Sequence, residues 1–164
     1  MHREHTVKRL IINDCTLLHQ TKINSTAVQK HEVLQSLVAL GLPTVYETYS
    51  AVIFQENKYS IKDRFSHKVG DKKLFGKILA IVQAAEFVGV LAQMYTAADP
   101  EIDVGETEFY SIVPTDACRL VPIQNLRKEQ ILHCKDPDLY LVNFYYRYSL
   151  SLKLFHKVHI LFCY

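Results

Sequence analysis

The chain has 164 residues and a mass of 19.0 kDa; 49% of the residues are hydrophobic, 22% charged and 11% aromatic, with 5 Gly and 5 Pro. Those proportions exclude collagen-like, low-complexity and wholly disordered classes, and a domain of this size buries about 70% of the surface its unfolded chain exposes, enough for a core without covalent staples. The net charge of +2 is the sum of opposed regions: residues 1–77 carry 12 basic and 7 acidic groups, residues 78–138 carry 4 and 10, and the last 26 add 3 basic groups and no acidic one.

Cys15, Cys118, Cys134 and Cys163 are widely scattered with no Cys-x-x-Cys, which reads as reduced thiols inside a cell. The basic N-terminus (His2, Arg3, His5, Lys8, Arg9) is followed by only Leu10-Ile11-Ile12 before Asn13-Asp14, too short an apolar run for a signal peptide. The longest charge-free stretch, Val33–Tyr46, holds Gly41 and Pro43 and falls short of the roughly 18 apolar residues of a spanning helix. A soluble intracellular protein with no membrane partner is expected, nuclear in preference to cytoplasmic.

Residues 1–24 show no sustained period and read as a flexible arm outside the core. Within residues 25–43, Thr26 and Gln29 have the spacing of a capping box. Ala27, His31, Leu34, Leu37, Val38 and Leu40 form an apolar stripe near helical spacing, and Gly41 and Pro43 end it, so a helix is predicted over about residues 27–40. Residues 44–148 then read as strands. Thr44–Phe54 and a short strand near Tyr59–Ile61 are joined by a turn at Glu56-Asn57. Leu74–Val82 and Glu86–Tyr95 form a second hairpin, in which Val88, Val90, Ala92 and Met94 share a face and Gly76 and Gly89 suggest bulges or bends. Shorter strands follow at Glu108–Val113, Arg119–Ile123 and Ile131–Cys134, and a better covered one at Leu139–Tyr148. The fold class this implies is mainly β (α+β): an N-terminal helix followed by a small antiparallel barrel. The tail, residues 149–164, ends in the apolar run Val158–Tyr164, and reads either as a segment docked on the barrel or a partner, or as the cut end of a longer parent.

Residues 58–77 hold seven cations against Asp63 and Asp71, with Tyr59, Phe65 and Phe75 between them. Lys62, Arg64, Lys68, Lys72, Lys73 and Lys77 are the candidate nucleic-acid or partner-binding residues, able to neutralise phosphates without reading sequence; the competing reading is a solvated loop whose lysines protect strand edges. The acidic loop Asp99–Glu108 fails calcium-loop spacing, because with Asp99 first the glycine falls at the seventh place and Tyr110 stands where a bidentate Glu belongs. Cys15-x3-His19, His133-Cys134 and His156-x2-His159-x3-Cys163 do not make two paired zinc knuckles. No nucleophile elbow, phosphate loop, dinucleotide fingerprint or zincin motif is present, and His133 and Cys134, adjacent in a strand, point to opposite faces. No catalytic residue, metal or cofactor is expected.

The succession of a Tyr-rich strand (Tyr46–Phe54), Asp71-Lys72-Lys73, Phe75-Gly76-Lys77-Ile78, Val90–Tyr95, an acidic insertion, Phe109–Val113, Leu120-Val121-Pro122-Ile123-Gln124-Asn125-Leu126, Ile131–Cys134 and Leu139–Phe144 resembles a C-terminal barrel module of uncharacterised proteins derived from animal transposable elements. That module is itself similar to the bromo-adjacent homology (BAH) and other SH3-like barrels of chromatin proteins. The resemblance covers about 100 residues and rests on a strand pattern with a Val-Pro-Ile landmark, not on a chemical signature. It implies a non-enzymatic interaction module binding protein or histone tails, in which Tyr95, Phe109, Tyr110 and Tyr140 are the aromatics placed to contact a peptide. The alternative is weak, sequence-nonspecific nucleic-acid binding through the basic segment.

Overall fold

A computed structural model describes residues 9–22, 26–97, 102–104, 107–127, 132–134 and 139–142. They form an antiparallel sheet with one α-helix. β1 (Arg9–Ile12) and β2 (Cys15–Thr21) precede the helix α1 (Ala27–Ala39). β3 (Glu47–Phe54), β4 (Asn57–Ser60), β5 (Arg64–Val69), β6 (Lys72–Ala84), β7 (Phe87–Ala97), β8 (Ile102–Val104) and β9 (Thr107–Pro122) follow. A 3-10 turn (Ile123–Asn125) leads into β10 (Leu126–Arg127), and β11 (Leu132–Cys134) and β12 (Leu139–Val142) complete the described strands. The ladder runs β1-β2-β3-β6-β7-β9-β12-β11, while β4 pairs with β3, β8 with β9, and β5 with both β6 and β10.

The helix starts where the capping box places it. The Thr26 side chain accepts from the Gln29 N–H at 3.2 Å and the Gln29 side chain accepts from the Thr26 N–H at 3.1 Å. Gly41, at φ 67, takes the left-handed residue that ends it. Its buried face differs from the expected stripe. Val33 and Leu37 are buried, whereas Leu34, Val38 and Leu40 are exposed. Val33 and Leu37 pack on Ala80, Val82, Ala84 and Leu91 of the sheet, and each contributes about 1.5–3 kcal/mol by leaving water.

The expectation of an arm outside the core fails for residues 9–21. β1 and β2 form a hairpin through Asn13-Asp14, both at positive φ as a type I′ turn requires, and Cys15 and Leu17 are fully buried. The period of two in β2 is masked in the sequence because Leu18, outside this alternation, is as apolar as its buried neighbours. The turn between β3 and β4 is Gln55-Glu56, not Glu56-Asn57, again with two positive φ values, and β3 begins at Glu47 rather than Thr44. The β6–β7 hairpin turns more tightly than expected, through Ala85-Glu86 alone. Glu108–Val113 and Arg119–Pro122 are parts of a single strand, β9, with Ile123 already in the 3-10 turn, and the register of β9 against β7 shifts between Gln93↔Cys118 and Tyr95↔Pro114. That irregularity is held by Thr115, whose hydroxyl donates to the Met94 carbonyl at 2.8 Å and whose own carbonyl accepts from the Gln93 amide at 3.0 Å. Of the strand expected over Leu139–Tyr148, β12 lies between β9 and β11, and residues 143–148 lie outside the described residues, as does the tail 149–164.

Neither glycine is itself the expected bulge. The register of β6 shifts at Leu79, between Ile78↔Ala92 and Ala80↔Leu91. Gly76 and Gly89 instead permit close approach: a Cβ on Gly76 would lie 2.6 Å from the Phe65 ring, and one on Gly89 would lie 2.7 Å from the Phe87 ring and 2.8 Å from the Val121 carbonyl oxygen. The Leu79 shift divides the core in two. Ile78 and Ile81 turn toward the main cluster with Phe65, Val121, Leu126 and the expected face Val88, Val90, Ala92 and Met94, while Ala80, Val82 and Ala84 turn toward the helix. Among the described residues no helix is long and apolar enough to cross a membrane. Gly89→Ala is expected to destabilise the fold by about 1–3 kcal/mol, because a backbone carbonyl must yield, and a urea midpoint lowered at constant slope would register it.

Candidate functional site

The basic segment is not a loop: it folds as β4, β5 and the first half of β6. Residues Ser60 to Asp63 form the first turn, in which the Asp63 N–H donates to the Ser60 carbonyl at 3.0 Å and the Ser60 N–H to Asp63 Oδ2 at 2.8 Å. Lys62 sits at φ 76, the place in such a turn that favours glycine, and its N–H donates to the Ile78 carbonyl at 2.8 Å. Gly70, at φ 59, opens the Gly70-Asp71 turn that joins Val69 to its partner Lys72.

The register then sorts the cations. Phe65 faces the main core with its partner Gly76, so alternation sends Arg64, Ser66 and Lys68 to the opposite face, with their partners Lys77, Phe75 and Lys73. Four of the six candidates, Arg64, Lys68, Lys73 and Lys77, therefore share one face as two directly opposed like-charged pairs, Arg64↔Lys77 and Lys68↔Lys73. Lys72 falls at the end of the ladder on the other side of the pleat, and Lys62 on the turn. Lys62, Lys68 and Lys72 are exposed; Arg64, Lys73 and Lys77 are half-buried. β5, β6 and β7 together carry five cations and no acidic residue. Between the two pairs lie Ser66 and Phe75, each about as buried as the core, and Tyr95, in register with Phe75, is only 8% exposed. The His67 ring nitrogen Nδ1 lies 3.4 Å from the Asn125 carbonyl and ties β5 to the 3-10 turn.

The aromatic candidates do not converge in register. Tyr140 stands opposite Tyr110 and Leu141 opposite Phe109 in the β9–β12 ladder, whereas Tyr95 pairs with Pro114, four residues further along β9. The pairing Tyr110↔Tyr140 was invisible in the sequence, because it depends on how β12 returns to β9. So was the opposition of the cations across β5 and β6, although the Gly70-Asp71 turn between two short runs was a usable sign of it.

Other candidate chemistry disperses. Cys15 is buried and His19 exposed, so they do not form one side of a metal site, and among the described residues no group of three potential ligands is assembled. Burial, then Asp14, raises the Cys15 thiol above its usual range; burial, then Glu32 and Asp116, does the same to Cys118, so both thiols are kept from the reactive thiolate form. His133 and Cys134 are consecutive in β11, and His156, His159 and Cys163 lie outside the described residues. A groove of about 460 Å³ on α1 is lined by His31, Leu34, Gln35, Val38 and Ala39, with one titratable group among them. No protein-family model matches the chain, and no curated protein matches it.

Two outcomes follow from this geometry. Lys68→Glu replaces a like-charged cross-strand pair by an attractive one, so stability should rise by about 0.2–1 kcal/mol in low salt and the gain should shrink in high salt, as paired urea titrations would show. Burial, together with the hydrogen bond its hydroxyl donates to Glu47 Oε2 at 2.9 Å, raises Tyr49 to about 12 from its usual 10. The folded state thus holds the phenol neutral more tightly than the unfolded state does, and this contribution is intact below pH 10 and drains away between pH 10 and about 12. Tyr49→Phe should lose less stability than the parent between pH 8 and 11, measured by urea denaturation; equal losses would show that Tyr49 carries none of it.

Proposed function

We propose that the chain is a non-enzymatic interaction module, a small SH3-like, BAH-like barrel whose β5–β6 face docks a polyanionic component of chromatin. The path β5-β6-β7-β9, followed by a 3-10 turn and by β10 returning to β5, supports the barrel reading. The resemblance to the transposable-element-derived barrel and a nuclear location belong to the same reading. The observation that carries the function is the pair of opposed cation pairs on one face of strands that contain no acidic residue. Cations concentrated in this way on three strands that hold no acidic residue give a positive potential, which attracts a polyanion.

A second reading, a reader of protein or histone tails, draws support from the register that sets Tyr110 opposite Tyr140, to which Phe109 and Tyr95 add no aromatic partner. Binding measured at about 50 and 200 mM salt separates the two. Neutralising four phosphates gives a salt slope of about −3.6, so a fourfold rise in salt should weaken binding to heparin or mixed-sequence DNA roughly a hundredfold. A histone-tail panel should stay silent. Salt-tolerant binding of one peptide would replace the polyanion reading with the tail reader, and silence on every probe would end both.

A further inference from the structure

We infer that the outer side of α1 is the contact between two copies of this chain, packed helix against helix, antiparallel, about a two-fold axis level with Val33.

A helix that rests on a sheet buries one stripe, and its opposite stripe is normally polar. On α1 the buried stripe is Val33 and Leu37. On the opposite side stand Val28, His31, Gln35 and Val38, all exposed, with Val28 at 70% and Val38 at 64%. Their spacing of three, four and three residues is that of a coiled-coil seam, where a knob on a facing helix enters a hole made by four residues at i, i+3, i+4 and i+7. His31, Leu34, Gln35 and Val38 have that spacing, and with Ala39 they line the groove of about 460 Å³. The outer side of α1 is thus shaped to receive another helix.

The order of residues along the seam fits a second α1. Ala27-Val28 at one end mirrors Val38-Ala39 at the other, and the polar residues His31 and Gln35 lie between them, so the pattern is the same read in either direction. A second α1 laid antiparallel about position 33 sets Val28 against Val38 of the other copy, His31 against Gln35 of the other copy, and Leu34 beside its own counterpart. A two-fold contact requires this kind of self-complementarity. The terminal alanines allow close approach of the two helices. The seam contains no Lys, Arg, Asp or Glu, so copies of a chain with net charge +2 meet there without repulsion and a charged partner finds nothing to pair with. Glu32, on the flank of the seam, is half-buried and accepts from the Ser36 hydroxyl at 3.4 Å. The polar His31–Gln35 layer fixes the register at a cost in affinity. With 13 residues α1 is about 20 Å long, so the contact falls below the roughly 800 Å² per partner of a standard interface and the dissociation constant is on the order of 100 µM.

The test is sedimentation equilibrium of the full chain from about 1 µM to about 1 mM, over which monomer is expected to give way to dimer. Val38→Glu should raise the dissociation constant by about tenfold or more, because its carboxylate would be buried against Val28 of the other copy. The melting temperature of the dilute chain should not change, since position 38 is exposed in the single copy. Val28→Lys should behave in the same way. Both substitutions in one chain should restore the dimer, because the antiparallel register brings the two new charges, of opposite sign, together at each end. A chain monomeric at the highest concentration, a dimer indifferent to Val38→Glu, or a double variant no better than the single ones would overturn the inference. Each of these outcomes leaves the reading of the β5–β6 face untouched.

Discussion

The Phe65 ring resting over Gly76 is the contact on which the candidate site depends. A strand has only two faces, so once Phe65 enters the core its neighbours Arg64 and Ser66 must turn away from it, and the partners across the ladder follow. Burial of one apolar ring thus sets the direction of four cations. Position 76 must lack a side chain for this to hold, since a Cβ there would lie 2.6 Å from the ring. Hydrophobic packing on one side of β5 and β6 organises electrostatics on the other.

The extra residue at Leu79 plays the corresponding part further along β6. Without it a single alternation would run the length of the strand, and the apolar second half could serve only one core. With it, Ile78 and Ile81 face the main cluster while Ala80, Val82 and Ala84 face α1. The small residues on the helix side let Val33 and Leu37 come down onto the sheet, and the basic half of the same outer face is left beyond the helix end of β6. The molecule therefore divides one sheet surface into an apolar half that takes its own helix and a cationic half that does not.

Much of this was legible locally and little of it at long range. The Thr26–Gln29 box and Gly41 marked the ends of α1, and the Val88–Met94 face of β7 followed from its period of two. The stripe on α1 was misjudged because Leu34, Val38 and Leu40 are as apolar as the residues that do bury; which face wins depends on the sheet beneath and not on the helix. Residues 9–21 were misread for a similar reason, since apolar side chains on both faces of β2 erase the alternation, although Asn13-Asp14 was a hairpin turn in plain view. The site itself was legible as a charge run. What the sequence could not show was that Phe75 and Tyr95 are spent on packing, which removes the rings from any recognition role that composition would assign them.

Most partners in this sheet are neighbours along the chain: β1 with β2, β3 with β4, β5 with β6, β6 with β7, β8 with β9 and β11 with β12. The junction between β10 and β5 is different in kind. It consists of two residue pairs and a contact between groups 58 positions apart, so it gains few hydrogen bonds for the long stretch of chain it must close. Loop entropy places such a seam last in the order of folding and first in the order of local opening. The hairpins around it assemble quickly and independently, and the strand that carries Arg64 and Lys68 gains its second neighbour only when the rest of the sheet is already in place.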